Sequence, residues 1–431
     1  MTFEALKKLR QSGLVGESSW GLGLEVTALL GTILSFMFLG RSLGPEGYGG
    51  YASLYAIVGP LVTLAASGVT LSLLQHVMRD GEPLERTARS CLTLGLGLGI
   101  ALTGIGFGFA LWIIETLSMA AILSILLTEF VTMPVLNLAA ATVQATTGFG
   151  GAARIRIFVM VARIVVLVAL FATSSLTVES FGVSMLSIST ISGIFFLHVV
   201  GKEHGFAFVP GRVLWPHVKS NLSYSGGISA DSLGNDGDKL VLAANQMVVE
   251  TGLYSAAYRV VQMGLVPVGS VIQATHGRFL THEEGLKGQH LHRALRFAAA
   301  GAAYGVVFAA GIILFAPLLT IVLGDEFEGS IQIVRWLSPL VLLRAVGSCS
   351  INGLMGLSKV TARTILLAVN AAMAMALYIV LIPIHGWKGA VAGTLIGEFT
   401  SVLMTWGALI HYQRVADRSI DETHRPSATA P

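Results

Sequence analysis

Runs of about twenty apolar residues, separated by short polar breaks, recur along almost the whole chain. Wound into an α-helix, such a run is as long as the hydrocarbon core of a bilayer is thick. Backbone groups inside lipid must satisfy each other, so the pattern points to a polytopic helical membrane protein. Composition agrees: of 431 residues, 54% are hydrophobic and 12% charged, where a soluble domain carries roughly 25% charged residues. The 50 glycines suit helices that approach closely in lipid. Cys91 and Cys349 lie in different apolar runs, with neither metal-ligand spacing nor a disulfide framework.

The expected fold class is all-α, with about twelve transmembrane helices at 20–40, 51–77, 90–114, 118–146, 154–173, 180–200, 221–246, 252–277, 297–323, 330–355, 362–384 and 388–411. The seventh span is the most polar, with Asp231, Asn235, Asp236, Asp238 and Lys239, and is retained because the charge pattern requires it. With the N-terminus inside, and residues within two positions of a span end counted with the adjoining loop, 20 of the 27 Lys and Arg residues fall in cytoplasmic loops and ends, 2 (Arg41 and Lys388) fall outside, and 5 fall within spans. Such an asymmetry orients a polytopic protein and places both termini in the cytoplasm. Residues 1–19 read as a cytoplasmic amphipathic segment, 20–200 as a first six-helix half, 201–219 as a cytoplasmic linker, 220–412 as a second half, and 413–431 as a disordered cytoplasmic tail. Neither a removable signal peptide nor a soluble domain is expected.

The halves repeat. Gly49-Gly50-Tyr51 with Tyr55 returns as Gly252-Leu253-Tyr254 with Tyr258, Pro60 as Pro267, Pro134 as Pro339, Gly148 as Gly356 and Gly182 as Gly389, at offsets of 203 to 208. Six spans separate equivalent points, so the halves share an orientation and are expected to be related by a pseudo-two-fold axis along the membrane normal, with a cavity between them. Pro60, Pro134, Pro267 and Pro339 are the candidate bends, because a proline inside a helix removes a hydrogen bond and crowds the preceding turn.

Three segments carry a family resemblance. GDKLVLAANQMVVETGLYSAAYRVVQ (237–262) resembles the seventh-to-eighth span signature of polysaccharide and oligosaccharide flippases, with an acid-base pair, an apolar run and Gly-x-Tyr-x-x-Ala-Tyr-Arg. LGRSLGPEGYGGYASL (39–54) is similar to that family's loop after span one, and GWKGAVAGTLIGEF (386–399) to the start of its last span. The family, which includes O-antigen-type lipid-linked oligosaccharide flippases, belongs to the multidrug, oligosaccharidyl-lipid and polysaccharide exporter superfamily. The resemblance implies translocation of a polyprenyl-pyrophosphate-linked oligosaccharide from the cytoplasmic to the outer leaflet of a bacterial inner membrane, for cell-surface polysaccharide biosynthesis. It implies no enzyme and no cofactor. The expected partners are the lipid-linked oligosaccharide and membrane lipid, with a polysaccharide polymerase or export component as a further candidate; nucleic acid is not expected, and the chain is expected to act as a monomer.

Charges within spans are costly and so mark candidate sites. A cationic cavity for pyrophosphate would draw on Arg259, Lys239, Arg335, Arg344 and Arg163, since guanidinium forks grip phosphate oxygens. Arg259 ranks first because it also ends the signature. Asp238 and Lys239 are neighbours on one helix and are not expected to face each other, so that one lines the cavity and the other pairs with Arg259. Arg335 and Arg344 share one expected span but not one face, and Arg163 has Glu129 as a possible partner. Asp238, Asp231, Glu398 and Glu25 are candidates for ion or proton coupling or for charge pairing, a proton or sodium ion being the candidate coupling ion. Tyr51, Tyr55, Tyr254 and Tyr258 read as sugar platforms or as interfacial anchors. No nucleotide, zinc-protease or serine-hydrolase motif occurs, and the glycine-rich run 94–108 lies inside an apolar span with no strand before it. A cation-coupled multidrug antiporter of the same superfamily is the competing expectation; it would favour acidic cavity residues.

Overall fold

The computed structural model describes residues 14–280, 289–357 and 359–423. Helices dominate from the start. α1, Leu14–Ala65, consists of two arms, because Gly44 (φ 64°, ψ 179°) leaves helical geometry. Glycine tolerates that positive φ, and Pro45, with its fixed φ and missing N–H, starts the next arm. The second arm continues through α2, Ser67–Leu74, into a π turn at Gln75–Arg79. α3 is Leu84–Ile113. α4, Met119–Leu127, joins α5, Met133–Thr147, through a second π turn at Thr128–Thr132. α6 is Phe149–Ala172 and α7 is Val178–His204.

Local chemistry sets these starts. The Ser118 hydroxyl accepts from the Ala121 N–H at 3.2 Å to open α4, and Thr177 and Ser180 cap one another reciprocally to open α7.

The remaining helices are α8, Trp215–Ala244; α9, Val248–Leu280; α10, Gln289–Phe315; α11, Leu318–Leu323; α12, Glu328–Leu337; α13, Pro339–Gly356; α14, Val360–His385; and α15, Trp387–Thr423. Pro317 separates α10 from α11, within the expected ninth span. The matched prolines Pro134 and Pro339 occupy matched breaks, Pro134 beside the π turn between α4 and α5 and Pro339 at the start of α13. Pro60 and Pro267 lie inside α1 and α9.

The chain is an all-helical polytopic membrane protein. Among the described residues, nine helical stretches have the length and apolar character to cross a membrane, the first being Ser19–Arg79, which contains the Gly44 break. α8 and α9 are not among the nine, although at 30 and 33 residues they exceed the length a bilayer core requires; the polar residues of α8 lower its hydropathy. One expectation is corrected at the C-terminus. The chain stays helical to Thr423, where disorder was expected from 413, and the Gln413 side chain donates to Asp417 one turn on at 2.9 Å. Residues 1–13 and 424–431, within the expected terminal segments, lie outside the described residues.

By packing, the chain forms two compact units. One comprises residues up to Asp236 with Val322–Gly324; the other comprises Gly237–Ile321 and the chain from Asp325 onward. The division falls inside α8, so the first turns of that helix pack with the first unit. In that unit α1 packs on α6, and α4 and α5 pack on α7; in the second, α10 and α15 pack on α13, and α14 on α15. Small residues permit these approaches: a Cβ on Gly305 of α10 would lie 2.6 Å from the Leu342 Cα of α13. Gly182 and Gly389, a matched pair, are both similarly crowded, against Ser124 and the Leu381 carbonyl. Ile191, Val307, Leu314 and Ile384 point outward, the apolar exterior that lipid requires.

Candidate functional site

The second unit holds a continuous chain of charged and aromatic groups. Asp238 on α8 is 1% exposed, and a buried carboxylate is costly unless its oxygens are satisfied. They are. The Tyr254 hydroxyl of α9 donates to Asp238 Oδ2 at 2.6 Å, the Thr394 hydroxyl of α15 lies 3.4 Å from the same oxygen, and the Lys239 backbone N–H donates to Oδ1 at 2.7 Å. Thr394 Oγ1 also lies 3.0 Å from the Tyr254 hydroxyl and 3.1 Å from that of Tyr378 on α14. Lys239 Nζ lies 3.5 Å from Asp238 Oδ1 and 3.9 Å from the centre of the Tyr258 ring. Tyr258 in turn accepts from Arg344 of α13 at 2.8 Å, and Arg344 Nε donates to Glu398 of α15 at 2.7 Å. The chain therefore runs from Tyr378 through Thr394, Tyr254, Asp238, Lys239, Tyr258 and Arg344 to Glu398.

Two sequence expectations are corrected here. Asp238 and Lys239 do meet, because the long Lys239 side chain folds over the Tyr258 ring and so reaches back to its neighbour's carboxylate. Tyr254 and Tyr258 are 0% and 1% exposed, so they are buried hydrogen-bonding groups rather than interfacial anchors.

The first unit holds a smaller cluster. The Tyr55 hydroxyl of α1 donates to Glu129 Oε1 at 3.0 Å, and Arg163 of α6 lies 3.6 Å from that same oxygen. Arg163 also directs Nε at the Met185 sulfur, 3.1 Å away. Tyr55 and Tyr258 are equivalent in the repeat, and each is joined to an Arg–Glu pair.

Two other candidates, Arg335 and Glu25, are exposed. Arg335 is exposed on α12, on the far side of the break at Ser338 from Arg344, and does not join the buried chain. Glu25 is exposed on α1. Arg259, half-buried, follows Tyr258 on α9. Asp231 lies on α8, but its side chain is outside the described residues. Thr394 and Tyr378 were missed from sequence. Thr394 carries no distinguishing pattern; Tyr378, a phenol in an otherwise apolar helix, carried a weak signal because its hydroxyl needs a partner.

The charges in these clusters are locally balanced: Lys239 faces Asp238, Arg344 faces Glu398, and Arg163 faces Glu129. Each pair is neutral as it stands, so an incoming anion could take over a cation only if the displaced carboxylate also took up a proton. Elsewhere among the described residues, ligand atoms of His76, Glu82 and His217 all lie within 4.8 Å of one another. No sequence spacing announced that cluster, since Glu82 and His217 are 135 residues apart.

A family model described as polysaccharide biosynthesis protein matches residues 19–276, more than half of the chain. The chain belongs to that family. The chain is also similar in fold to solved transporters of the MOP superfamily. An inward-facing MATE family transporter of the MOP superfamily matches with a TM-score of 0.72 at 16% identity, over 92% of this chain and 96% of that one. An outward-facing MATE transporter matches with a TM-score of 0.61 at 16% identity, over 94% and 97%. A MOP superfamily transporter from Pyrococcus furiosus Vc1 (DSM3638), described as having a binding pocket of reverse polarity that suggests a different function, matches with a TM-score of 0.62 at 15% identity, over 95% and 96%. No curated protein matches. The family description thus ties the chain to polysaccharide biosynthesis, and its fold is shared with these MOP superfamily transporters.

Proposed function

We propose that this polysaccharide biosynthesis protein is a flippase. It moves a polyprenyl-pyrophosphate-linked oligosaccharide from the cytoplasmic to the outer leaflet of a bacterial inner membrane, by alternating access of two six-helix halves. The proposal counts twelve spans, α8 and α9 included, and places both termini in the cytoplasm on the strength of the loop charges. The observation that carries it is the family match over residues 19–276, which takes in the first half and the segment from Asp238 to Arg259.

The candidate grip on pyrophosphate is Arg259 with Lys239, Arg344 and Arg163, while exposed Arg335 has the weakest case. Pyrophosphate would compete with Asp238 and Glu398 for the same cations. A proton arriving on either carboxylate would release Lys239 or Arg344 to the headgroup, which makes those acids the candidate coupling sites. The matched breaks at Pro134 and Pro339, with Pro60 and Pro267, give both halves places to bend.

The local charge balance also favours a second reading, a cation-coupled multidrug antiporter, because a buried acid bonded to a tyrosine suits a proton or a cation. Deleting the gene separates the two. The flippase reading expects a lipid-linked oligosaccharide to accumulate on the cytoplasmic face, with no gain in sensitivity to cationic dyes. Dye sensitivity without accumulation would favour the antiporter.

A further inference from the structure

We propose that His76, Glu82 and His217 form a binding site for a divalent ion of the zinc class. His76 comes from the π turn after α2, Asp80 and Glu82 from the bend before α3, and His217 from the first turn of α8; all four belong to the first unit.

The geometry is that of converging ligands. His217 Nε2 lies 3.0 Å from Glu82 Oε2, and His76 Nδ1 lies 3.4 Å from Glu82 Oε1 and 3.1 Å from Asp80 Oδ2. Tetrahedral zinc holds N and O ligands at about 2.0–2.2 Å, which sets neighbouring ligands about 3.3–3.6 Å apart. The two contacts to Glu82 lie at or just below that range, and all three ligand atoms lie within 4.8 Å of one another. The His76 and His217 side chains are 8% and 0% exposed, and Glu82, at 31%, leaves a route for an ion to enter.

The hydrogen bonds around the cluster orient the rings. Ser90 Oγ already accepts from the Leu214 N–H, and it lies 2.8 Å from His217 Nδ1. A second N–H donated to it from His217 Nδ1 would leave the Nε2 lone pair facing Glu82. Ser220 Oγ lies 3.2 Å from His76 Nε2 and donates to the His217 carbonyl at 3.1 Å. In the tautomer where His76 Nε2–H donates to Ser220, Nδ1 presents a lone pair to two carboxylates. That Nδ1 is buried and makes no well-formed hydrogen bond, so the site calls for a cation between the three groups. Ring nitrogens held this way by outer hydroxyls are typical of imidazole ligands. Two imidazoles with one carboxylate select the zinc class over calcium or magnesium. An ion here would fasten the first turn of α8 to the corner between α2 and α3.

The test uses the full chain in detergent, stripped with EDTA, equilibrated with zinc sulfate and desalted before metal analysis. The wild type should retain one zinc per chain, and cobalt(II) should give the visible absorption of a tetrahedral site with nitrogen ligands. The double variant His76→Ala/His217→Ala should bind at least about ten-fold more weakly, and Ser90→Ala about ten-fold more weakly. Glu82→Gln, which nearly preserves shape, guards against misfolding as the explanation and should also lose most of the zinc. Absence of retained zinc in the wild type would overturn the site, leaving a histidine–carboxylate cluster that takes up protons only. Full retention by Glu82→Gln and the double variant would overturn it equally.

Discussion

Arg344 divides its guanidinium between Glu398 at 2.7 Å and Tyr258 at 2.8 Å; Tyr258 is buried and the Glu398 side chain is 22% exposed. Removing one member of such a pair strands the other. Arg344→Ala should therefore lower stability by roughly 3 kcal/mol in thermal unfolding in detergent, while the apolar double variant Arg344→Met/Glu398→Leu recovers most of the loss. Arg344→Lys should fall between them, because a point charge cannot serve both partners in fork geometry. Equal losses in single and double variants would show that the pair does not act as a unit. Tyr254→Phe removes the donor to buried Asp238 and should cost about 1.5–3 kcal/mol. Outside the spans, His217 and Glu82 set a pH dependence. Burial lowers His217; partial burial raises Glu82, but bonds from His217 and Thr87 outweigh it and hold Glu82 below the carboxylate range. The folded state thus prefers both groups deprotonated, and their contribution is intact above the ordinary imidazole value of about 6.5 and lost as pH falls through the lowered folded values. In EDTA, unfolding temperature should drop on acidification below about pH 6.5, and His217→Gln should flatten the first part of that drop.

At the scale of helices, contact between α10 and α13 depends on Gly305, where a Cβ would meet backbone 2.6 Å away. Gly305→Val should destabilise by about 1–3 kcal/mol, whereas Gly311→Ala on the same helix, with nothing within 4 Å, should be neutral or slightly stabilising. Similar effects of the two substitutions would show that this approach is not tight. Much of the helical framework was legible in the sequence, because apolar runs of bilayer length and the matched prolines Pro134 and Pro339 act locally. The reach of α15 to Thr423 was not: polar composition was taken for disorder, although a helix needs no apolar face once it leaves lipid. For the site, the signature segment identified Asp238, Lys239 and Tyr254 as residues of interest. Their partners were not legible, since Thr394 lies 156 residues from Asp238 and only tertiary packing joins them. Arg335 and Arg344 were read as sharing one span but not one face; the break at Ser338, which the sequence did not announce, separates their helices.

For the whole molecule, the proposed topology makes opposite predictions for two exposed positions. Cys91 and Cys349 are buried, so single introduced cysteines can be read against a quiet background. In whole cells Lys202→Cys should resist an impermeant thiol reagent and Glu326→Cys should react; labelling of Lys202→Cys from outside would contradict six spans before it. The proposed activity is most directly tested by transfer of a polyprenyl-pyrophosphate oligosaccharide between leaflets of liposomes containing the purified chain, alongside Arg259→Ala and Arg259→Lys. Wild type should move the lipid well above protein-free vesicles, Arg259→Ala should approach the protein-free rate while remaining folded, and Arg259→Lys should recover only part, because an ammonium lacks the bidentate grip on phosphate. Wild-type protein that leaves the lipid-linked sugar in place, but exports cationic dyes under a proton or sodium gradient, would contradict the flippase reading.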